Sequence, residues 1–80
     1  MRIAICDDDM NCINLIEEYI NEFKKNGVEC DAYPSGEELV RAYRDNAERY
    51  DVIFLDMEME QLNGIETANH IREIDEYVVI

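Results

Sequence analysis

The sequence has little that could serve as a linker, a covalent framework or a basic surface. A single proline and three glycines leave no room for a flexible connector, so residues 1–80 read as one small domain. Cys6, Cys12 and Cys30 are odd in number and irregularly spaced, which excludes a disulfide framework and matches no zinc-site spacing. Cys6 and Cys30 lie in apolar strand-like runs and read as small core residues. No apolar stretch approaches the roughly 20 residues that span a bilayer. Met1-Arg2 runs straight into Ile3-Ala4-Ile5 without a signal-type leader, so the expectation is a cytoplasmic protein with no membrane attachment. Basic residues are scarce: seven Lys and Arg stand against twenty Asp and Glu, a formal net charge of −13. A surface of this sign repels nucleic acid and anionic membranes, which argues against direct nucleic acid binding by this segment. It favours cations and basic partner surfaces.

Hydrophobic residues make up 48% of the chain and charged residues 34%, the balance of a globular rather than a disordered sequence. Ile3 to Cys6 is a short apolar run ending abruptly at Asp7-Asp8-Asp9, as expected of a strand buried on both faces. From Met10 to Lys25, Ile13, Ile16, Ile20 and Phe23 recur at helical spacing. Asp8 and Asp9 suit the N-terminal dipole of that helix, Lys24-Lys25 its C-terminus, and Asn26-Gly27 its stop. Val28 to Tyr33 alternates, with Val28, Cys30 and Ala32 on the inner face and Glu29, Asp31 and Tyr33 on the outer, the pattern of a half-exposed edge strand. Pro34-Ser35-Gly36 is a turn, and Ser35 with Glu38 forms a capping box for a second helix carrying Leu39, Val40, Ala42 and Tyr43. Val52 to Leu55 is the most hydrophobic run and stops at Asp56, which reads as a central strand. After the polar loop Glu58 to Leu62, Asn63 and Glu66 cap a third helix with Ile65, Ala68, Ile71 and Ile74. Tyr77 to Ile80 has the character of a fourth strand.

Strict alternation of strand and helix implies an α/β fold, a doubly wound parallel sheet with helices on both faces. Ligands of such sheets bind beyond the carboxyl ends of strands, where the strand order reverses. The alternating second strand belongs at the edge, which makes strands one and three neighbours in the order 2-1-3-4. Asp7, Asp8 and Asp56 then converge at one mouth. Unit charges about 4 Å apart repel by roughly 4 kcal/mol at an effective dielectric near 20, so either a carboxyl holds a proton or a cation binds. An all-oxygen donor set suits a hard ion such as magnesium or calcium. A carboxylate beside that ion is a nucleophile toward phosphorus. The bland alternative is that Asp7 to Asp9 only cap the first helix. Met57 and Met59 read as packing residues and His70 as a solvated surface residue.

These residues resemble the receiver domains of two-component response regulators. Ile-Ala-Ile-Cys-Asp-Asp-Asp at 3–9 is similar to that family's first strand and acidic pair. Phe54-Leu55-Asp56-Met57-Glu58-Met59 and then Asn63-Gly64-Ile65-Glu66 resemble its phosphoacceptor strand, loop and glycine turn. Ser35-Gly36-Glu37-Glu38-Leu39 resembles the start of its second helix. The resemblance implies a flavodoxin-like receiver fold, of which residues 1–80 would be the N-terminal two-thirds, ending after the start of strand four. It implies that Asp56 is phosphorylated by a sensor histidine kinase phosphohistidine, and that the domain catalyses only its own phosphorylation and dephosphorylation. Asp8 would ligate Mg2+ directly, Asp7 through water, Asp56 by its carboxylate and Glu58 by its backbone carbonyl, its side chain tuning dephosphorylation. The family's hydroxyl and lysine would follow Ile80, so these 80 residues would be switch-incompetent; its strand five and helix five would follow as well, which leaves Tyr77 to Ile80 an unprotected apolar edge prone to form a homodimer. A DNA-binding effector, in style closest to the LytTR type, would also follow. One departure is Glu60, where the family often has proline.

Two other readings remain. Asp56-Met57-Glu58 resembles in part the Asp-x-Asp motif of haloacid-dehalogenase-like phosphohydrolases, although that motif usually sits on a first strand. A non-phosphorylated pseudo-receiver interaction module is the third reading.

Overall fold

The computed structural model describes residues 1–23 and 27–80. Lys24, Lys25 and Asn26, expected to end the first helix, lie outside the described residues, as does the side chain of Phe23. Six elements alternate along the chain: β1 (Arg2–Cys6), α1 (Met10–Phe23), β2 (Glu29–Tyr33), α2 (Gly36–Asp45), β3 (Val52–Leu55) and α3 (Gly64–Ile74). The strands form one parallel sheet in the order β2-β1-β3. Its register pairs Ile3 with Cys30 on one side and with Val52 on the other.

Period-two alternation divides β1 between the two faces of the sheet. Ala4 and Cys6, with Ile53 of β3, join Leu39, Val40, Tyr43 and Ile71 in one core under α2 and α3. Ile3 and Ile5 are buried on the opposite side, which α1 covers. Strand β1 is therefore closed on both faces, as its unbroken apolar run implies.

The cap signals operate as local hydrogen bonds. Asn63 Oδ1 accepts from the Glu66 amide at 2.9 Å, and Glu66 Oε1 accepts from the Asn63 amide at 3.1 Å. These are both halves of a capping box. At α2 the expected capping box is reduced to its N-cap half, in which Ser35 Oγ accepts from the Glu38 amide at 3.2 Å. Asp9 starts α1, its Oδ1 accepting from the Asn11 amide at 2.9 Å.

Three expectations are modified. The fourth strand is reduced to a single parallel bridge between Val52 and Val79. It lies on the side of β3 away from β1, so it keeps the predicted order. Asp75 folds Tyr77 and Val78 into a turn just before the bridge, accepting from both amides at 3.1 and 3.3 Å. The run Val52–Leu55 is also less enclosed than a central strand, since Phe54 is 44% exposed on the α1 side. Ala32 is exposed, and Tyr33, expected to face outward, packs on the α2–α3 core. The cause is Tyr50, which meets Tyr33 edge-on with ring centroids 6.1 Å apart. The two hydroxyls hydrogen-bond, and Tyr50 donates to Asp31 Oδ2 at 2.7 Å.

Candidate functional site at the carboxyl end of the sheet

Asp7 and Asp56 stand one residue beyond β1 and β3 and continue the ladder. The Asp7 amide donates to Tyr33 O at 3.1 Å, and the Asp56 amide to Cys6 O at 3.0 Å. The backbone thus places two acids side by side although 48 residues separate them along the chain. Asp8 completes the group: one carboxylate oxygen from each of Asp7, Asp8 and Asp56 lies within 4.8 Å of the other two. Asp8 is exposed, and Asp7 and Asp56 are half-buried.

Capping and clustering are separate jobs within the acidic run. Asp9 takes the cap of α1. Asp7 Oδ1 accepts from the Asp9 amide at 2.9 Å and keeps its other oxygen for the mouth. The helix-cap explanation therefore accounts for Asp9 and leaves Asp7 and Asp8 to the cluster. The Asp7 carboxyl pKa is raised from its ordinary value, first by burial, against the lowering effect of the Asp9 amide, and further by Asp56 and Asp8. A divalent cation would relieve that repulsion, and three carboxylate oxygens are the donor type a hard cation takes.

Glu58 sits beside the cluster through its backbone: its amide donates to Asp56 Oδ1 at 3.1 Å. Its carboxylate is exposed and is not among the grouped ligand atoms. Gly64 shapes the loop that carries it. The Gly64 amide donates to Met57 O at 3.1 Å. A Cβ on Gly64 would overlap the Asp56 carbonyl oxygen and lie 2.5 Å from Met57 Cα. Only glycine lets α3 start this close to the acceptor position.

Sequence reasoning missed two contacts and the burial of His70. Glu37 Oε1 accepts from the Leu62 amide at 2.8 Å and ties the far end of the loop to α2. Met59 inserts its sulfur 3.9 Å from Cys6 Sγ, so one of the two expected packing methionines packs while Met57 is exposed. Burial pushes the Cys6 thiol up to about 12, and the Asp7, Glu37 and Asp56 charges add to it. Cys6 therefore stays protonated near neutral pH and acts as core filling. His70 is half-buried rather than solvated, because it lies in the seam between α2 and α3.

A doubly wound parallel sheet with three carboxylates at its carboxyl mouth defines a flavodoxin-like α/β domain with a cation-type site. Comparison with known proteins is more specific. The model of the response regulator receiver domain family matches residues 3–80, and the chain belongs to that family. It is 32% identical over 72 residues to the transcriptional regulatory protein RprY of Bacteroides fragilis, covering 90% of this chain and 28% of RprY. A solved structure of the response regulator TrrA of Thermotoga maritima, in complex with Mg2+-BeF, has 33% identity and a TM-score of 0.78. The match covers 94% of this chain and 61% of that one. A complex of the histidine kinase ThkA with TrrA gives 32% identity and a TM-score of 0.79, covering 96% of this chain and 62% of the matched one. The chain thus spans just over a quarter of the curated relative and about three-fifths of these structures. Among the described residues, no helix is long and apolar enough to cross a membrane.

Proposed function

We propose that this chain is the phosphoacceptor part of a two-component response regulator, with Asp56 as the acceptor. The convergence of Asp7, Asp8 and Asp56 at the mouth carries this reading. The donor is a sensor histidine kinase phosphohistidine, which fits the ThkA–TrrA complex to which the chain is similar. An Asp56 carboxylate oxygen forms the new bond to phosphorus, the phosphorus–nitrogen bond breaks, and the imidazole leaves with the electron pair. Asp7, Asp8, the Asp56 carboxylate and the Glu58 backbone carbonyl would hold Mg2+, the ion in the similar TrrA structure. When bound, it neutralises charge between the carboxylates and the incoming phosphoryl oxygens. Asp9 orients Asp7 through its amide, the Glu58 amide orients Asp56, and Gly64 fixes the loop between them. Self-phosphorylation and its reversal are the only chemistry in this reading. The setting is cytoplasmic, residues 1–80 are the N-terminal two-thirds of the domain, and a DNA-binding effector lies elsewhere in the protein.

The test is incubation of the complete receiver domain with acetyl phosphate and Mg2+, followed by intact mass. One added phosphoryl group is expected, absent in Asp56→Asn and slowed in Asp8→Asn. Adduct formation at another residue would overturn the assignment. Turnover of external phosphoesters would favour the phosphohydrolase, and neither activity would favour the interaction module.

A further inference from the structure

We infer that the seam between α2 and α3 is a docking groove for an acidic, apolar-anchored segment of a partner protein. The seam encloses about 290 Å³ and is lined by Glu37, Val40, Arg41, Arg44, Leu62 and His70, with Asp45 at its end. Four of these, at positions 37, 40, 41 and 44, form one i, i+3, i+4, i+7 face of α2.

The unusual feature is the state of the cations. Acids outnumber bases by nearly three to one, so a basic side chain here has many carboxylates to choose from. Arg2 is paired with Glu29, Asp31 and Glu48. Arg49 donates to Tyr43 O and Glu48 O, and Arg72 to Glu76 O and Val78 O. Arg41 and Arg44 are the described cations with no ion pair or hydrogen bond, and both, although exposed, line this one seam. Across it, His70 Nδ1 is the one side-chain polar atom among the described residues that is closed to solvent and without a partner. Re-orienting that ring toward an incoming oxygen forfeits no internal hydrogen bond. Val40 and Leu62 add an apolar surface beside the three donors.

Charge decides the class of ligand. Glu37 and Asp45 share the lining, so the two guanidinium charges are balanced in number by two carboxylates. A near-neutral lining accepts a single carboxylate, where a phosphate dianion would meet repulsion. Guanidiniums match a carboxylate through paired N–H donors, and one aliphatic or aromatic side chain fits against Val40 and Leu62. The groove is open and holds only one or two side chains, which suits a protein segment better than a free metabolite. The overall −13 charge opposes an acidic partner at long range, but at 0.15 M salt the Debye length is about 8 Å and the local field governs.

The probe is an N-acetylated, C-amidated peptide rich in Glu and Leu, titrated into the isotope-labelled 80-residue chain at 0.15 M salt. Amide shifts are expected at Val40, Arg41, Arg44, Leu62 and His70, with binding at least tenfold weaker in the double variant Arg41→Gln/Arg44→Gln. Glutamine is a comparable helix former, and an unchanged circular dichroism spectrum shows that the variant is folded. The inference is overturned if no shifts appear at millimolar peptide, if they map elsewhere, or if the double variant binds equally. Equal binding of a Lys-for-Glu peptide, or the same shifts from inorganic phosphate at lower concentration, overturns it as well. Because the readout is binding, its outcome is separate from phosphorylation of Asp56.

Discussion

Asp7 is held in a conformation that opposes its own charge. It is drawn out of water, faces Asp56 and Asp8, and is offset in part by the Asp9 amide. An asparagine there keeps an oxygen for that amide and removes one negative charge. Asp7→Asn is therefore expected to stabilise the metal-free fold by about 1 kcal/mol, the scale of one charge pair at a partly solvated site. The same substitution should shrink the rise in Tm that Mg2+ produces. Thermal melts with and without Mg2+ read both effects, and a lower Tm of the variant without the ion would contradict the repulsion argument. Gly64 is the opposite case, a residue whose value lies in what it omits. Gly64→Ala pushes a methyl group against the Asp56 carbonyl and Met57. Overpacking of this kind costs about 1–3 kcal/mol. The strain falls on the acceptor loop, so weaker Mg2+ binding should accompany lower stability in urea titrations. A neutral Gly64→Ala would mean that the loop adapts freely.

The elements differ in how well their surroundings agree with their sequence. Helix α3 has a complete capping box and buried Thr67 and Ile71. Strand β3 has the strongest hydrophobic signal yet leaves Phe54 half in solvent, because the apolar face of α1 reaches it only in part. The connection from α2 to β3 carries a local strain: Ala47 has φ +55°, a left-handed conformation that costs an L-residue about 1–2 kcal/mol. Glycine relieves that penalty but adds about 0.5–1 kcal/mol of chain entropy. Ala47→Gly should therefore raise stability by roughly 0.5 kcal/mol, with no effect on Mg2+ binding at the far end of the sheet. A measured loss of stability would show that the turn relaxes in solution. Gln61, at φ +57° in the acceptor loop, is strained in the same way.

At the scale of the molecule, charge and apolar exposure act against each other. A groove of about 460 Å³, lined by Ile3, Ile16, Tyr19, Ile20, Val28 and Phe54 with Met1 at its edge, opens on the α1 side. Val79 is bridged to β3, while Tyr77 beside it is 86% exposed. Burial of apolar surface yields about 25 cal/mol per Å², so covering several hundred Å² between two copies favours association. The −13 charge opposes it and is screened by salt. The 80-residue chain should therefore dimerise more strongly at 0.5 M than at 0.05 M salt. Sedimentation equilibrium over a concentration series checks this, and a monomer at both ionic strengths would show that the apolar face is no interface between copies.

Local chemistry by itself determined the elements and the candidate site. Apolar periodicity marks β1, α1 and β3, Ser35 and Asn63 start helices through atoms within three residues of themselves, and acid-terminated strands bring Asp7, Asp8 and Asp56 together once the order 2-1-3 follows from the edge character of β2. These signals are legible because each depends on neighbours along the chain or on a topological rule with few solutions. Other features depend on distant groups with no pattern linking them. Tyr33 turns inward because Tyr50, 17 residues on, offers a ring and a hydroxyl. Asp75 holds the turn that precedes the Val79 bridge, and Gly64 is required because the Asp56 carbonyl lies against it. His70 leaves solvent, and Arg41 and Arg44 share one groove, only because α2 and α3 pack side by side. Periodicity reports whether a side chain meets apolar surface. Which polar group it meets there is decided by tertiary packing.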